Sequence, residues 1–143
     1  MAELHLVDSS AWIFALRRSP REAIRGRLRE LVEADAAATC GVVELELLSG
    51  AASLRELTQL ERQLTGIHRL PTEEGDWNIA ARLGFSLRRT GITVGSTDLL
   101  LAVMAIRHNA ILVHADRHFD LIAAHSDLRV ESLVEALEAG SSE

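Results

Sequence analysis

The chain has 143 residues, of which 48% are hydrophobic, with a formal charge of −6 and one cysteine. This suits one domain with a substantial core and argues against disorder. A single cysteine, Cys40, excludes an intrachain disulfide or a thiolate zinc site, and because all basic side chains are arginine, lysine-dependent phosphate loops and Schiff bases are excluded too.

In chain order, Leu4-His5-Leu6-Val7 runs into polar Asp8-Ser9-Ser10, predicting a buried strand over 3–8 and a helix from Ala11 to Leu16 that any of the three polar residues can cap. Pro20 suits the first turn of a second helix reaching about Ala34. A strand is expected over Ala36–Cys40, although alanine is a poor strand former, then helices over 42–50 and 53–65 and a strand from Ile67 to Leu70. From Glu73 to Arg89 the spacing is helical, with Trp77, Ala80, Ala81, Leu83, Gly84 and Leu87 on one broad face. Gly95-Ser96-Thr97-Asp98 opens a helix that is apolar nearly all round to Ile106, the pattern of an element buried between neighbours. A strand over Ala110–Val113, a helix over Arg117–Ala124, a strand over Leu128–Glu131 and a helix to about Ala139 complete the chain. The expectation is a single domain over 1–139 with a frayed tail at 140–143. Alternating strands and helices imply an α/β sandwich around a parallel sheet, with ligands gathering beyond the carboxyl ends of the strands. No apolar run reaches bilayer-spanning length, since Leu99–Ile106 is bounded by Asp98 and Arg107, and no basic leader precedes the first strand, so a cytoplasmic protein without a membrane partner is expected.

Four isolated acids stand where apolar segments end or turn: Asp8, Glu46, Asp98 and Asp116. If the fold gathers them, two carboxylates ~5 Å apart repel by about 3 kcal/mol at an effective dielectric of ~20, a large amount against a domain stability of roughly 5–15 kcal/mol. A hard divalent cation removes that penalty, so metal-dependent phosphodiester chemistry is the leading reading. Each acid also has a plainer role, because Asp8, Asp98 and Asp116 can all cap or stabilise helix starts. Glu44 and Glu46 project to nearly opposite faces of their helix, so only one can enter the pocket; the small and apolar neighbours of Glu46 favour it, and Glu44 stays open. Asp120 falls one turn beyond Asp116 and is a candidate for supporting it.

His114 and His118 are close enough to Asp116 to move protons or touch phosphate, with a polar rim as the plainer expectation, and His5, His68, His108 and His125 have no visible partners. Arg17, Arg18, Arg21, Arg25, Arg27 and Arg29 suit a nucleic-acid backbone, or else form a solvated helix face paired with Glu22 and Glu30. Trp12 and Phe14 read as packing residues, and with no tyrosine a base-stacking surface is not expected.

The segments Leu6-Val7-Asp8-Ser9-Ser10-Ala11-Trp12-Ile13, Val42-Val43-Glu44-Leu45-Glu46-Leu47-Leu48-Ser49-Gly50, Thr97-Asp98-Leu99-Leu100-Leu101-Ala102 and Leu112-Val113-His114-Ala115-Asp116-Arg117-His118-Phe119 resemble the successive motifs of PIN-domain ribonucleases, above all the VapC-type toxins of bacterial toxin–antitoxin operons. Each motif is weak alone; four in order over nearly the whole chain are strong. The resemblance implies a PIN-like three-layer sandwich, its central parallel sheet of four to five strands flanked by helices. It makes Asp8, Glu46, Asp98 and Asp116 the family's four acids, favouring Glu46 over Glu44, and assigns Ser10 as the hydroxyl partner of the first acid. Thr97 and Asp120 are further candidates for supporting the acids. His114 stands where many relatives carry threonine or serine, and Ser9 where many carry threonine. The same resemblance implies a Mg²⁺- or Mn²⁺-dependent endoribonuclease acting on transfer or ribosomal RNA, dimeric, and neutralised by a VapB-type antitoxin. A phosphatase with an aspartate nucleophile is disfavoured because Ser10 occupies the place of its second aspartate and no lysine is available. A non-catalytic PIN-like module that binds RNA or protein is the alternative, against which the full acid set speaks.

Overall fold

The computed structural model describes residues 3–16 and 21–141, with side chains through 137. Five short strands, β1 (His5–Val7), β2 (Ala37–Cys40), β3 (His68–Leu70), β4 (Ile111–His114) and β5 (Val130–Ser132), form one sheet in the order β3-β2-β1-β4-β5. All four pairings are parallel. Parallel neighbours need long crossovers, and helices supply them: α1 (Ser9–Leu16) and α2 (Glu22–Glu33), α3 (Gly41–Ser49) and α4 (Leu54–Thr65), α5 (Glu74–Arg89) and α6 (Ser96–Arg107), then α7 (Arg117–Ala124). The chain closes with α8 (Val134–Ser141), which passes the expected end at Ala139; Ser142 and Glu143 of the expected tail lie outside the described residues.

Every residue of β2 is buried, as are Leu6 and Val7 of β1 and Leu112 and Val113 of β4, so the central strands are covered on both faces. That covering explains why Ala37 and Ala38 sit in a strand despite their poor propensity: small side chains fit where helices press close. Helix α6 is buried at each position from Leu100 to Ala105, in keeping with its all-round apolar character. It runs so close to α5 that a Cβ on Gly84 would come 2.7 Å from Leu99 Cδ1.

An unforeseen ion pair fixes the far end of these two helices. Asp76 is 1% exposed, and Arg107 donates to both its oxygens at 2.7 and 2.8 Å while also reaching the Pro71 carbonyl at 2.7 Å. Asp76 also accepts the Glu73 N–H at 2.8 Å, closing the start of α5. The Arg107 guanidinium holds the Asp76 carboxyl below its ordinary range.

Two expectations need correction, and one open choice is decided. Trp77 is 58% exposed and Ala81 is exposed as well, because the buried stripe of α5 is the narrower one through Asp76, Ala80 and Leu87. Of the arginine cluster, Arg17 and Arg18 lie outside the described residues, Arg25 approaches Glu22 at 3.9 Å, and Arg27 meets Glu30 at 3.1 Å, as the plainer reading had it. Arg27 goes further and donates two hydrogen bonds, at 2.7 and 2.8 Å, to Glu131 on β5. Three of the histidines do have partners: His5 the Glu3 carbonyl, His68 Asp35, and His108 the Pro71 carbonyl. Trp12 is buried, in line with a packing role.

Candidate metal and nuclease site

From β1 the chain builds outward through β2 to β3, then returns to place β4 on the other side of β1. In such sheets the reversal leaves a crevice beyond the carboxyl ends of the two strands that part there. Asp8 follows β1 directly and Asp116 lies two residues beyond the end of β4. The two strand ends are stitched by the Asp8 N–H donating to the Val113 carbonyl at 2.9 Å.

Asp8 is 4% exposed. Its Oδ2 accepts the Ser10 hydroxyl at 2.6 Å and the Ser10 N–H at 3.1 Å, a local turn that aspartate before a helix readily forms. The same hydroxyl oxygen accepts the Ala115 N–H at 3.0 Å, so Ser10 joins the loops after β1 and β4. Burial pushes the Asp8 carboxyl up, the bonds from Ser10 and Ser9 oppose it, and the charge of Asp116 adds to the rise.

Asp98, in the first turn of α6, joins the same group. Burial, followed by the charges of Asp8, Asp116 and Glu46, pushes its carboxyl up to about 6, with His118 opposing. Glu46 reaches the group from α3: partial burial and then Asp8 raise its carboxyl, with the Ser9 side chain opposing. Glu44 turns away and pairs with Arg69 at 3.0 Å, so the fold makes the choice that helical spacing left open. None of the groups that shift Asp8, Glu46 and Asp98 is an arginine. Asp98, Asp116 and His118 each present a ligand atom, all within 4.8 Å of one another.

The PIN domain model matches residues 5–125, which takes in all four acids. The chain belongs to the PIN-domain family. Within the family it groups with the VapC ribonucleases, being 38% identical over 131 residues to ribonuclease VapC11 of Mycobacterium tuberculosis, 89% of this chain and 97% of that protein. It is 29% identical over 137 residues to ribonuclease VapC21 of the same organism, 94% of this chain and 96% of the relative. Among solved structures, the DNA-bound VapBC from Salmonella typhimurium superimposes with a TM-score of 0.76 at 24% identity, covering 92% of this chain and 98% of that one, a likeness of fold.

In this PIN domain His114 is not at the rim, as expected, but wholly buried. Its Nδ1 accepts the Asp116 N–H at 3.1 Å, which fixes the neutral tautomer with the proton on Nε2, 3.2 Å from Asp120 Oδ1. Burial holds its pKa below the ordinary histidine value, and the ring packs against Phe119 with centroids 5.2 Å apart. Asp120 therefore supports His114, and also accepts from the Ser132 hydroxyl at 3.3 Å, while His114 in turn sets the backbone at Asp116. Thr97 is exposed, and its side chain makes no hydrogen bond among the described residues. His118 is the member that sequence reasoning left on the rim. Asp116 caps α7 by accepting the His118 N–H at 3.0 Å, which brings His118 Nδ1 to 3.2 Å from Asp116 Oδ1; the Asp-x-His spacing across a helix start is the signal that could have found it.

Proposed function

We propose that the chain is an endoribonuclease dependent on a hard divalent cation, Mg²⁺ or Mn²⁺, with Asp8, Glu46, Asp98 and Asp116 as its catalytic acids. The observation that carries this reading is four carboxylates drawn into mutual electrostatic contact without an arginine to neutralise them. Oxygen donors in that number suit a hard cation: Asp98 and Asp116, whose ligand atoms lie with one of His118 within 4.8 Å of one another, would hold it, with Asp8, whose charge acts on Asp98, as a further ligand. Bound there, such a cation supplies Lewis acidity toward a phosphoryl oxygen and the attacking water. Glu46, on the solvent side and with its carboxyl raised, either joins the ligands of the cation or orients the attacking water and takes up its proton. Ser10 keeps Asp8 in one rotamer, and His114 keeps the Asp116 backbone in place. No covalent nucleophile is required.

The functional unit is a single domain over 1–139 that acts as a homodimer and is restrained by a VapB-type antitoxin. Relatives named as VapC ribonucleases and VapBC assemblies of the same fold support the antitoxin partner. The groove between the end of α1 and α4, lined by Leu16, Leu60, Arg55 and Glu56 and flanked by Leu54 at 76% exposure, offers the antitoxin an amphipathic helix surface. A cytoplasmic location fits this reading, and no helix among the described residues is long and apolar enough to cross a membrane. The test is RNA-end sequencing after brief induction of wild type and Asp98→Asn, together with Mn²⁺ binding by the purified proteins. Discrete new ends that vanish in the variant, with weakened Mn²⁺ binding, support the proposal; identical end maps overturn it.

A further inference from the structure

The chain carries only two tryptophans and three phenylalanines, yet Trp77 and Phe85 stand 58% and 64% exposed on one helix, α5. They are two turns apart, so with Ala81 between them they form a continuous strip on one flank of that helix. Such exposure of large aromatic area on a small protein calls for an occupant. From Trp77 to Thr97 the sequence holds Arg82, Arg88 and Arg89 and not one acid, in a chain whose formal charge is −6. The Arg89 guanidinium lies 5.7 Å from the centre of the Phe85 ring, Arg82 donates to Asn78 at 3.3 Å, and Arg88 has no ion pair among the described residues. Beside this flank, a groove of about 350 Å³ is lined by Gly84, Phe85, Arg88, Thr93, Ser96 and Leu99. Ser96 and Leu99 bring the groove to the start of α6, the turn that also carries Asp98 on another side of the helix.

We infer that this groove is the path by which single-stranded RNA enters the acid pocket, with a base stacked on Phe85 and the backbone phosphates held by Arg88 and Arg89. The inference rests on the nuclease reading above and names the route of its substrate. Aromatic faces accept any base, and arginine binds phosphate oxygens in a fork, so the pairing of exposed ring and guanidinium matches an unpaired strand. A second copy of the chain is the competing occupant, since an antiparallel pairing of this flank across a two-fold axis would bring Arg88 and Arg89 toward the exposed Glu73 and Glu74, and the test below separates the two. The groove also solves an electrostatic problem, since a polyanion approaching four carboxylates needs positive charge along its way.

The test uses an RNA of about 12 nucleotides carrying 5-iodouridine, photo-crosslinked to the full chain in EDTA and mapped after tryptic digestion. An adduct on the peptide 83–88 or on 70–82 is expected. In parallel, anisotropy should show Phe85→Ala binding the RNA at least about 5-fold more weakly, Phe85→Trp restoring the affinity, and Arg88→Ala reducing the salt slope by about 0.7. A wild type that cuts RNA but yields adducts only elsewhere overturns the strand path and leaves the nuclease reading intact. Adducts on α5 from a protein that never cuts RNA uphold the path and end the nuclease reading. Unaltered RNA affinity in Phe85→Ala, with dissociation of a dimer in sedimentation, also overturns the inference and assigns the flank to self-association.

Discussion

Replacing Asp98 with Asn should stabilise the metal-free protein. The Asp98 carboxyl is pushed from 3.8 up to about 6 by burial and by its acidic neighbours, and at 1.36 kcal/mol per unit its ionisation costs the fold about 3 kcal/mol. Screening lowers this to roughly 2 kcal/mol. The sign follows from linkage: the folded pKa lies above the unfolded one, so the penalty is complete above pH 6, shrinks to about a third by pH 4.5, and disappears below 3.8. Asn keeps the shape and carries no charge, so thermal unfolding in EDTA at pH 7.5 should show the variant melting roughly 6–10 °C higher, with much less gain at pH 4.5. Added Mg²⁺ should raise the wild type toward the variant and leave the variant nearly unmoved. An Asp98→Asn protein that melts at or below the wild-type temperature at pH 7.5, or gains equally at both pH values, would refute the claim that these carboxylates repel one another.

Glu46→Gln should reduce RNA cleavage by about 100-fold or more, whereas Glu44→Gln, which only loosens an exposed bridge to Arg69, should cut at near wild-type rate and lose at most about 1 kcal/mol in urea unfolding. Ser10→Ala removes a donor from Asp8 and an acceptor from Ala115; Mn²⁺ affinity by calorimetry should fall about 10- to 100-fold, since ligand orientation is lost while the ligand remains. Arg107→Ala leaves Asp76 buried without its partner and should cost about 3–5 kcal/mol by chemical denaturation. Because Asp76 is held below its ordinary pKa, its contribution is present above about pH 4 and is lost as pH falls through the folded value, so the acid limb of a stability–pH curve should flatten in that variant.

Elements with strong periodicity were legible from the chain alone. Helix α6 was readable because it is apolar on every side, and α7 because Asp116 marks its start; the strands containing Leu6 and Leu112 were compact apolar runs. The position of Trp77 was not, since an amphipathic pattern gives the direction of the buried face but not its width, and an aromatic residue kept on the surface for an occupant reads like one kept for the core. Among the acids, helix geometry separated Glu44 from Glu46 without saying which points inward; Arg69, 25 residues away, is what claims Glu44. Asp76 and His114 escaped for the same reason. Their partners Arg107 and Asp120 belong to other elements, and only the fold brings them within hydrogen-bonding distance.

The two outer strands share a feature with consequences for assembly. Arg69 on β3 is bound by Glu44 of α3, and Glu131 on β5 is bound by Arg27 of α2. Each rim of the sheet is thus only three residues long and carries a charge leashed to a helix, which leaves little open ladder for a foreign strand to join. Augmentation of the sheet, with its attendant danger of fibrous growth, is disfavoured at both ends, which leaves the helical faces as the broader ground for assembly.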